Sequence, residues 1–169
     1  ETVHPEVKPG VILDGDYSKV VPFDPQKIEE FVSSAWFTYE DGDDKGLHPL
    51  VGETTVEYTG PKPPYDWLGD DDKYTWSKAP RYDGRVIQVG PVARVLNAYI
   101  QGESRTRELV DEAVGKLGIR IEQMNSTAGR TYARAVEAIT TAEYMADVVM
   151  PQFVEGIRNG DIDVFDASR

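Results

Sequence analysis

Residues 71–94, DDKYTWSKAPRYDGRVIQVGPVAR, hold an aromatic arm, a tight-turn signal and a helix start in close succession. Asp83-Gly84 tolerates positive φ at both positions, so the spacing predicts a hairpin between YTWSKAPRY and RVIQV. Pro80 has no N–H to give to a ladder, which makes the first arm an edge or an irregular extended segment. Pro91 suits the first turn of a helix, where a missing N–H costs no intrahelical bond. Val92, Val95, Leu96 and Tyr99 line one face of that helix, and Gly102 ends it.

Downstream, ESRTRELVDEAVGKLG carries Leu109, Val110, Ala113, Val114 and Leu117 on one side and stops at Gly118. Ser126 or Thr127 can cap a last, longer helix in which Ala128, Tyr132, Ala135, Ile139, Ala142, Ala146, Val149, Phe153 and Ile157 keep helical spacing almost to Gly160. At ~1.5 Å per residue that helix would run on the order of 45 Å. Pro151 is expected to kink it. Small residues along one face suit close packing in a large bundle, with neighbours beyond this stretch of chain.

Upstream, GVILDGDYSKVVPF (10–23) reads as two β-prone runs around an Asp-Gly-Asp break. Asp24-Pro25 is a cap and first-turn pair, and Ile28, Phe31, Val32, Ala35 and Trp36 recur at helical spacing, so a helix is expected over 25–38. Residues 39–73 are rich in Asp, Gly and Pro and long for a connection within one domain, which marks a functional loop or one lying against another polypeptide. The fold expected is α+β and mainly helical, a portion of a helical bundle with short β hairpins and a long irregular loop. In one segment, 1–73 would hold hairpin, helix and loop, 74–90 the β hairpin, 91–160 the bundle portion and 161–169 a tail.

Composition narrows function. The 169 residues include 30 Asp+Glu against 18 Lys+Arg, a net charge of −12 that repels phosphate backbones and anionic membranes, so nucleic acid is not an expected partner. Long uncharged apolar runs are missing, so no direct membrane span is expected, and ETVHPEVKPG lacks the basic-then-apolar order of a signal segment. There is no cysteine and only two histidines, His4 and His48, so this chain cannot build a thiolate site, and a triad or multi-His centre is hard to assemble.

Glu40-Asp41-Gly42-Asp43-Asp44 lacks the alternating ligands and terminal Glu of an EF-hand and reads as a solvated turn, as does Asp70-Asp71-Asp72. Lys78 and Arg81 read either as ordinary surface cations or as an interface pair, with the rigid Arg fork bridging several carbonyls or carboxylates. His48, before Pro49, is either a loop histidine satisfied by backbone or a polar group in a buried interface. Arg130 and Arg134, one turn apart, are expected to pair with Glu137 or neighbouring carboxylates.

Taken in order, several segments carry a resemblance. Asp24-Pro25 through Trp36, Gly46-Leu47-His48-Pro49 followed by Gly52-Glu53-Thr54, and Tyr58-Thr59-Gly60 come first. Tyr74-Thr75-Trp76-Ser77-Lys78-Ala79-Pro80-Arg81-Tyr82, Val89-Gly90-Pro91-Val92-Ala93-Arg94, and Ser126-Thr127-Ala128-Gly129-Arg130 with Arg134 and Glu137 follow. Together they resemble the middle of the large subunit of a nickel–iron hydrogenase of the respiratory uptake type. Gln88 stands where that family commonly has Glu, and Val92 where Leu is usual.

The resemblance implies a complete enzyme that converts H2 to protons and electrons at a nickel–iron centre with cyanide and carbon monoxide on the iron. That centre is bound by two Cys-x-x-Cys pairs near the subunit's ends, and neither pair is here. It therefore implies no catalytic, cofactor-binding or metal residue in this chain, which alone is expected to be inactive. The implied partners are the remainder of the large subunit and an iron–sulfur small subunit, in a membrane-associated or periplasmic enzyme. His48 would lie near the small subunit; Lys78, Arg81, Arg94 and Arg130 would be structural or interface residues. Two other readings are a metal-free binding or assembly module related to that subunit and, more remotely, the related subunit of a quinone-reducing respiratory complex.

Overall fold

The computed structural model describes residues 7–60 and 73–161. The chain divides into two units, one formed by Glu1–Phe23 with Val89–Arg169 and the other by Asp24–Gln88.

In the first unit the expected hairpin over 10–23 forms. Strand β1 (Gly10–Val11) pairs antiparallel with β2 (Val21–Pro22). Helix α1 (Pro91–Gln101) opens on Pro91 and closes at Gly102 in the left-handed region. Helix α2 (Ser104–Leu117) is capped by the Glu103 carboxylate, which accepts from the Arg105 and Thr106 N–H groups, and it ends at Gly118. A 3-10 turn, Ile121–Met124, leads to α3 (Thr127–Tyr144), where the Ser126 hydroxyl accepts from the Gly129 N–H. Sequence-local signals set these boundaries, because each satisfies orphan N–H or C=O groups at a helix end.

The core of this unit is built from Val92, Val95 and Leu96 of α1, Val110 of α2, Met124, and Ala133 and Val136 of α3. Ile12, Tyr17 and Tyr132 pack around it. Tyr132 donates its hydroxyl to the Leu109 carbonyl at 2.7 Å, so the partly buried ring keeps its polar end satisfied. Gly129 has no room for a side chain: a Cβ there would lie 2.1 Å from the Met124 carbonyl oxygen.

The long terminal helix is not uniform. Met145–Val149 is a π-helical segment in which the Met150 N–H bonds the Met145 carbonyl, and α4 (Met150–Asn159) follows, ending at Gly160. The irregularity lies just before Pro151, where the sequence predicts a kink. Proline lacks the N–H that a regular ladder needs.

The second unit departs from expectation at its start. Asp24 does cap, accepting from the Gln26 N–H, but Pro25–Lys27 makes only a 3-10 turn before Ile28 turns extended at φ −77, ψ 131. Instead of a helix over 25–38, the chain forms β3 (Ile28–Phe31), a turn closed by the Ala35 N–H on the Val32 carbonyl, and β4 (Phe37–Tyr39). The cause is non-local. β6 (Ala79–Tyr82) offers β3 a complete antiparallel register, Ile28 against Tyr82 and Phe31 against Ala79, and Ile28, Phe31 and Tyr82 suit a pleated surface.

Asp83 and Gly84 adopt φ 54 and 71, as the hairpin signal demands. Yet the returning arm, 86–89, is not a strand; only Arg85 bridges back to Tyr82. Pro80 sits on the edge strand of this two-stranded sheet, as its missing donor requires. Within the long loop, β5 (Thr54–Val56) pairs with β4, while Asp70-Asp71-Asp72 fall outside the described residues. Val32, Ala35, Trp36, Tyr39 and Tyr82 form the buried apolar set of this unit.

Two glycines separate packing from propensity. Gly129→Ala forces a side chain into the Met124 backbone and is expected to destabilise the full-length polypeptide by about 1–3 kcal/mol. Gly115→Ala, mid-helix with open space around it, is expected to stabilise it by about 0.5–1 kcal/mol. Thermal unfolding of the two variants beside the parent checks both signs.

Candidate functional site

In the Asp24–Gln88 unit, β3 is the element that positions the sequence-predicted residues. On one side it pairs with β6; on the other, Glu30 and Leu47 exchange backbone hydrogen bonds of 2.9 and 3.2 Å. That bridge carries His48 to the start of the same strand. Its Nε2 lies 3.1 Å from the Pro25 carbonyl, and its Nδ1 accepts the Leu50 N–H at 3.2 Å. With Nδ1 accepting, Nε2 donates to the Pro25 carbonyl, so the ring is a spacer between two backbone groups. Next to it, Leu50 and Val51 are 89% and 80% exposed.

Lys78 and Arg81 flank Pro80 on opposite sides. The Lys78 ammonium donates to Glu30 at 3.1 Å and lies 5.4 Å from the centre of the Phe37 ring. Arg81 donates to the Pro80 carbonyl at 2.9 Å and lies 5.8 Å from the Phe31 ring centre. Lys78 thus has both a carboxylate and a ring, whereas the Arg81 fork takes a single adjacent carbonyl and a ring.

Two features are not legible from the residues alone. The first is Lys73, whose ammonium donates to the Phe37 carbonyl at 2.6 Å and to Asp43 and Glu57 at 2.7 Å each. Asp43 also accepts from the Thr38 hydroxyl and the Tyr39 N–H, both at 3.0 Å. The acidic turn is therefore anchored at Asp43 rather than solvated throughout. Burial pushes the Asp43 carboxyl up, but the bonds from Lys73, Tyr39 and Thr38 outweigh it and hold the group below the usual carboxylate range. Burial likewise opposes charge on Lys73, and its two carboxylate partners more than offset that, raising it.

The second is an aromatic cluster. Tyr58 and Trp76 stack with ring centres 5.2 Å apart, and each meets Trp36 edge-on, at 4.9 and 5.0 Å. Trp36 is buried, while Tyr58 and Trp76 are 57% and 52% exposed. The Trp36 indole N–H has no hydrogen-bond partner among the described residues.

Arg94 and Arg130 belong to the other unit. Arg94 of α1 grips Glu137 of α3 in a two-pronged ion pair, one prong at 2.9 Å, and this carboxylate raises the guanidinium above its ordinary range. Glu137 is thus engaged across helices and not by an arginine one turn away. Arg130 reaches back to the Asn125 side chain at 3.2 Å. The chain has no cysteine, and no three His, Asp or Glu side chains converge on a metal-sized space among the described residues. No helix of the described residues is long and apolar enough to cross a membrane.

The Lys73 node generates a test. Lys73→Met removes the ammonium that joins Asp43, Glu57 and the Phe37 carbonyl and is expected to cost about 1–3 kcal/mol, read as faster amide exchange at Glu57, whose N–H bonds the Trp36 carbonyl. Asp43 is depressed, so the stability it supplies is present above its unfolded value near about 4 and is lost as pH falls through its folded value. Protection at Glu57 should drop in that acid window, and Asp43→Asn should remove the acid dependence.

Comparison with known proteins places the chain. The pattern of the nickel-dependent hydrogenase family matches residues 2–169. The uptake hydrogenase large subunit of Rhizobium leguminosarum bv. viciae is 36% identical over 161 residues, 90% of this chain and 27% of that protein. The Hydrogenase-1 large chain of Escherichia coli K12 is 36% identical over 158 residues, 87% of this chain and 26% of that one. The solved Ni-Fe-Se hydrogenase of Desulfovibrio vulgaris Hildenborough superposes with a TM-score of 0.53 at 28% identity, over 95% of this chain and 29% of that one. The chain thus spans about a quarter of the length of the relatives it matches, and it belongs to the nickel-dependent hydrogenase family.

Proposed function

We propose that this chain is a scaffold part of the large subunit of an H2-oxidising nickel–iron hydrogenase. The carrying observation is the match over residues 2–169 combined with coverage of only about a quarter of uptake large subunits. In the complete enzyme, the nickel–iron centre, with cyanide and carbon monoxide on the iron, supplies the conversion of H2 to protons and electrons. The residues present here do not fit that centre, since thiolates are missing and no acid or imidazole cluster replaces them among the described residues. Metal ligation is assigned to other parts of the subunit, and this chain alone is inactive.

The partners are the rest of the large subunit and an iron–sulfur small subunit, in a membrane-associated or periplasmic enzyme. Within this reading the His48 loop faces the small subunit: His48 ties the turn to Pro25, and Leu50 and Val51 are left outward. Lys78 and Arg81 hold β6 to β3 and its rings. Arg94 and Arg130 set helix packing and the α3 entry. The absence of cysteine favours one other reading, a metal-free binding or assembly module related to the large subunit.

The full-length polypeptide with its small subunit is expected to reduce an electron-accepting dye in the presence of H2, with nickel in the sample. Nickel-free protein that assembles but shows no H2-dependent reduction supports the module instead. Separately, His48→Ala removes two backbone tethers and is expected to weaken small-subunit retention and slow electron delivery, while isotope exchange between H2 and deuterated water stays unchanged. Normal assembly and electron delivery in that variant would remove His48 from the interface.

A further inference from the structure

The stacked rings of Tyr58 and Trp76 are each about half exposed, beside a buried Trp36. Val56, cross-strand partner of Phe37, shares that residue's face of the β4–β5 hairpin and is 60% exposed. The Phe37 ring meets Trp76 edge-on at 5.8 Å, which joins Val56 to the cluster. Gly60 holds the arrangement: a Cβ there would lie 1.8 Å from the Tyr58 ring, so Tyr58 folds back against bare backbone. Grouped, exposed apolar side chains of this kind mark a contact surface. The Trp36 indole N–H is an independent sign of one, because it is buried and has no acceptor among the described residues. A buried donor calls for a partner, and a chain laid over the cluster can supply it.

The surroundings of the cluster are acidic. Lys73 ties it to the turn after β4 by bonding the Phe37 carbonyl, Glu57 and Asp43 at once. On that turn Glu40, Asp41 and Asp44 are exposed. Residues 24–88 carry 14 Asp and Glu against seven Lys and Arg. The faces of Tyr and Trp attract a guanidinium or an ammonium, and neighbouring carboxylates add to that attraction. The unit already uses this combination once, where Lys78 lies over the Phe37 ring while it donates to Glu30.

Resting on the reading that this chain is part of a hydrogenase large subunit, we infer that the Tyr58–Trp76 face docks a cationic segment of the iron–sulfur small subunit. An Arg or Lys side chain of that segment lies over the exposed rings, and one of its backbone carbonyls accepts the Trp36 N–H. Charge complementarity selects the chemistry, since the rim of the cluster is anionic and the rings prefer a cation. A second copy is opposed by the net charge of −12 on each chain. Tyr and Trp within a polar rim are the composition of a contact between subunits, where these residues pair with Arg. The face is also continuous with the turn assigned above to the small subunit. Leu47, next to His48, bridges Glu30; Glu30 holds Lys78; Lys78 lies over Phe37; and Phe37 meets Trp76.

The test uses the complete enzyme with a photo-crosslinker placed singly, as Val56→p-benzoylphenylalanine, Tyr58→p-benzoylphenylalanine or, on the opposite face of the hairpin, Thr55→p-benzoylphenylalanine, followed by mass spectrometry of the products. Positions 56 and 58 should link to one Arg- or Lys-bearing peptide of the small subunit, several-fold more than position 55. Links to residues 61–72 or any other part of the same polypeptide, links to a second large subunit, no link, or equal links from position 55 each overturn the inference. The charge is tested separately with the double variant Asp41→Asn, Asp44→Asn, by the small subunit retained on the tagged large polypeptide across a salt series. Retention should fall several-fold at about 0.1 M salt and match the parent at about 1 M, where exposed charges are screened within ~3 Å. Parent-like retention at low salt overturns the cationic occupant. Nickel content and H2-dependent dye reduction are measured on the same samples. Active, nickel-loaded enzyme with links elsewhere sinks only the docking assignment, whereas inactive, nickel-free protein sinks the hydrogenase reading and the docking assignment with it.

Discussion

The pairing of Ile28–Phe31 with Ala79–Tyr82 is the constraint on which the Asp24–Gln88 unit depends. It brings Glu30 to Lys78, sets Lys27 against Asp83 at 3.2 Å, and lets the Tyr82 hydroxyl take the Asp24 N–H at 3.0 Å. Because Leu47 bridges the opposite edge of β3, the pairing also fixes where His48 begins its turn. Remove the ladder and the candidate residues have no common frame. The single ion pairs around it are partly exposed and each contribute little; the register is what makes them coincide.

The helical unit works by a different logic. Its core is local in sequence, three helices and a 3-10 turn around Val92, Val110, Met124 and Val136, and its tightest constraint is the absence of a side chain at Gly129. The two-pronged Arg94–Glu137 pair then fixes α1 on α3, using the planar match of guanidinium and carboxylate that a lysine could not reproduce. The buried core ends where the π segment begins: beyond it α4 has no buried residue.

Local signals were legible in the sequence. Pro91, Gly102, Gly118, Ser126 and Gly160 mark helix ends because each acts on groups within one turn of itself. The 25–38 segment misled because Ile28, Phe31, Val32, Ala35 and Trp36 fit a helical period, while the competing register came from residues about fifty positions away. The same distance hid Lys73, whose carboxylate partners lie in a turn and at the end of a hairpin. Glu137 looked like an intrahelical partner and was taken by another helix. Family membership was legible throughout, since it rests on ordered motifs and not on which of them become helices or strands.

The most direct measurement is peptide-level mass spectrometry of every polypeptide in the purified protein, with nickel and iron quantified on the same material. The account predicts cysteine-bearing peptides flanking this sequence on the same chain, accompanied by nickel. A single 18.9 kDa species carrying no metal, with full stability and no larger partner, would contradict it.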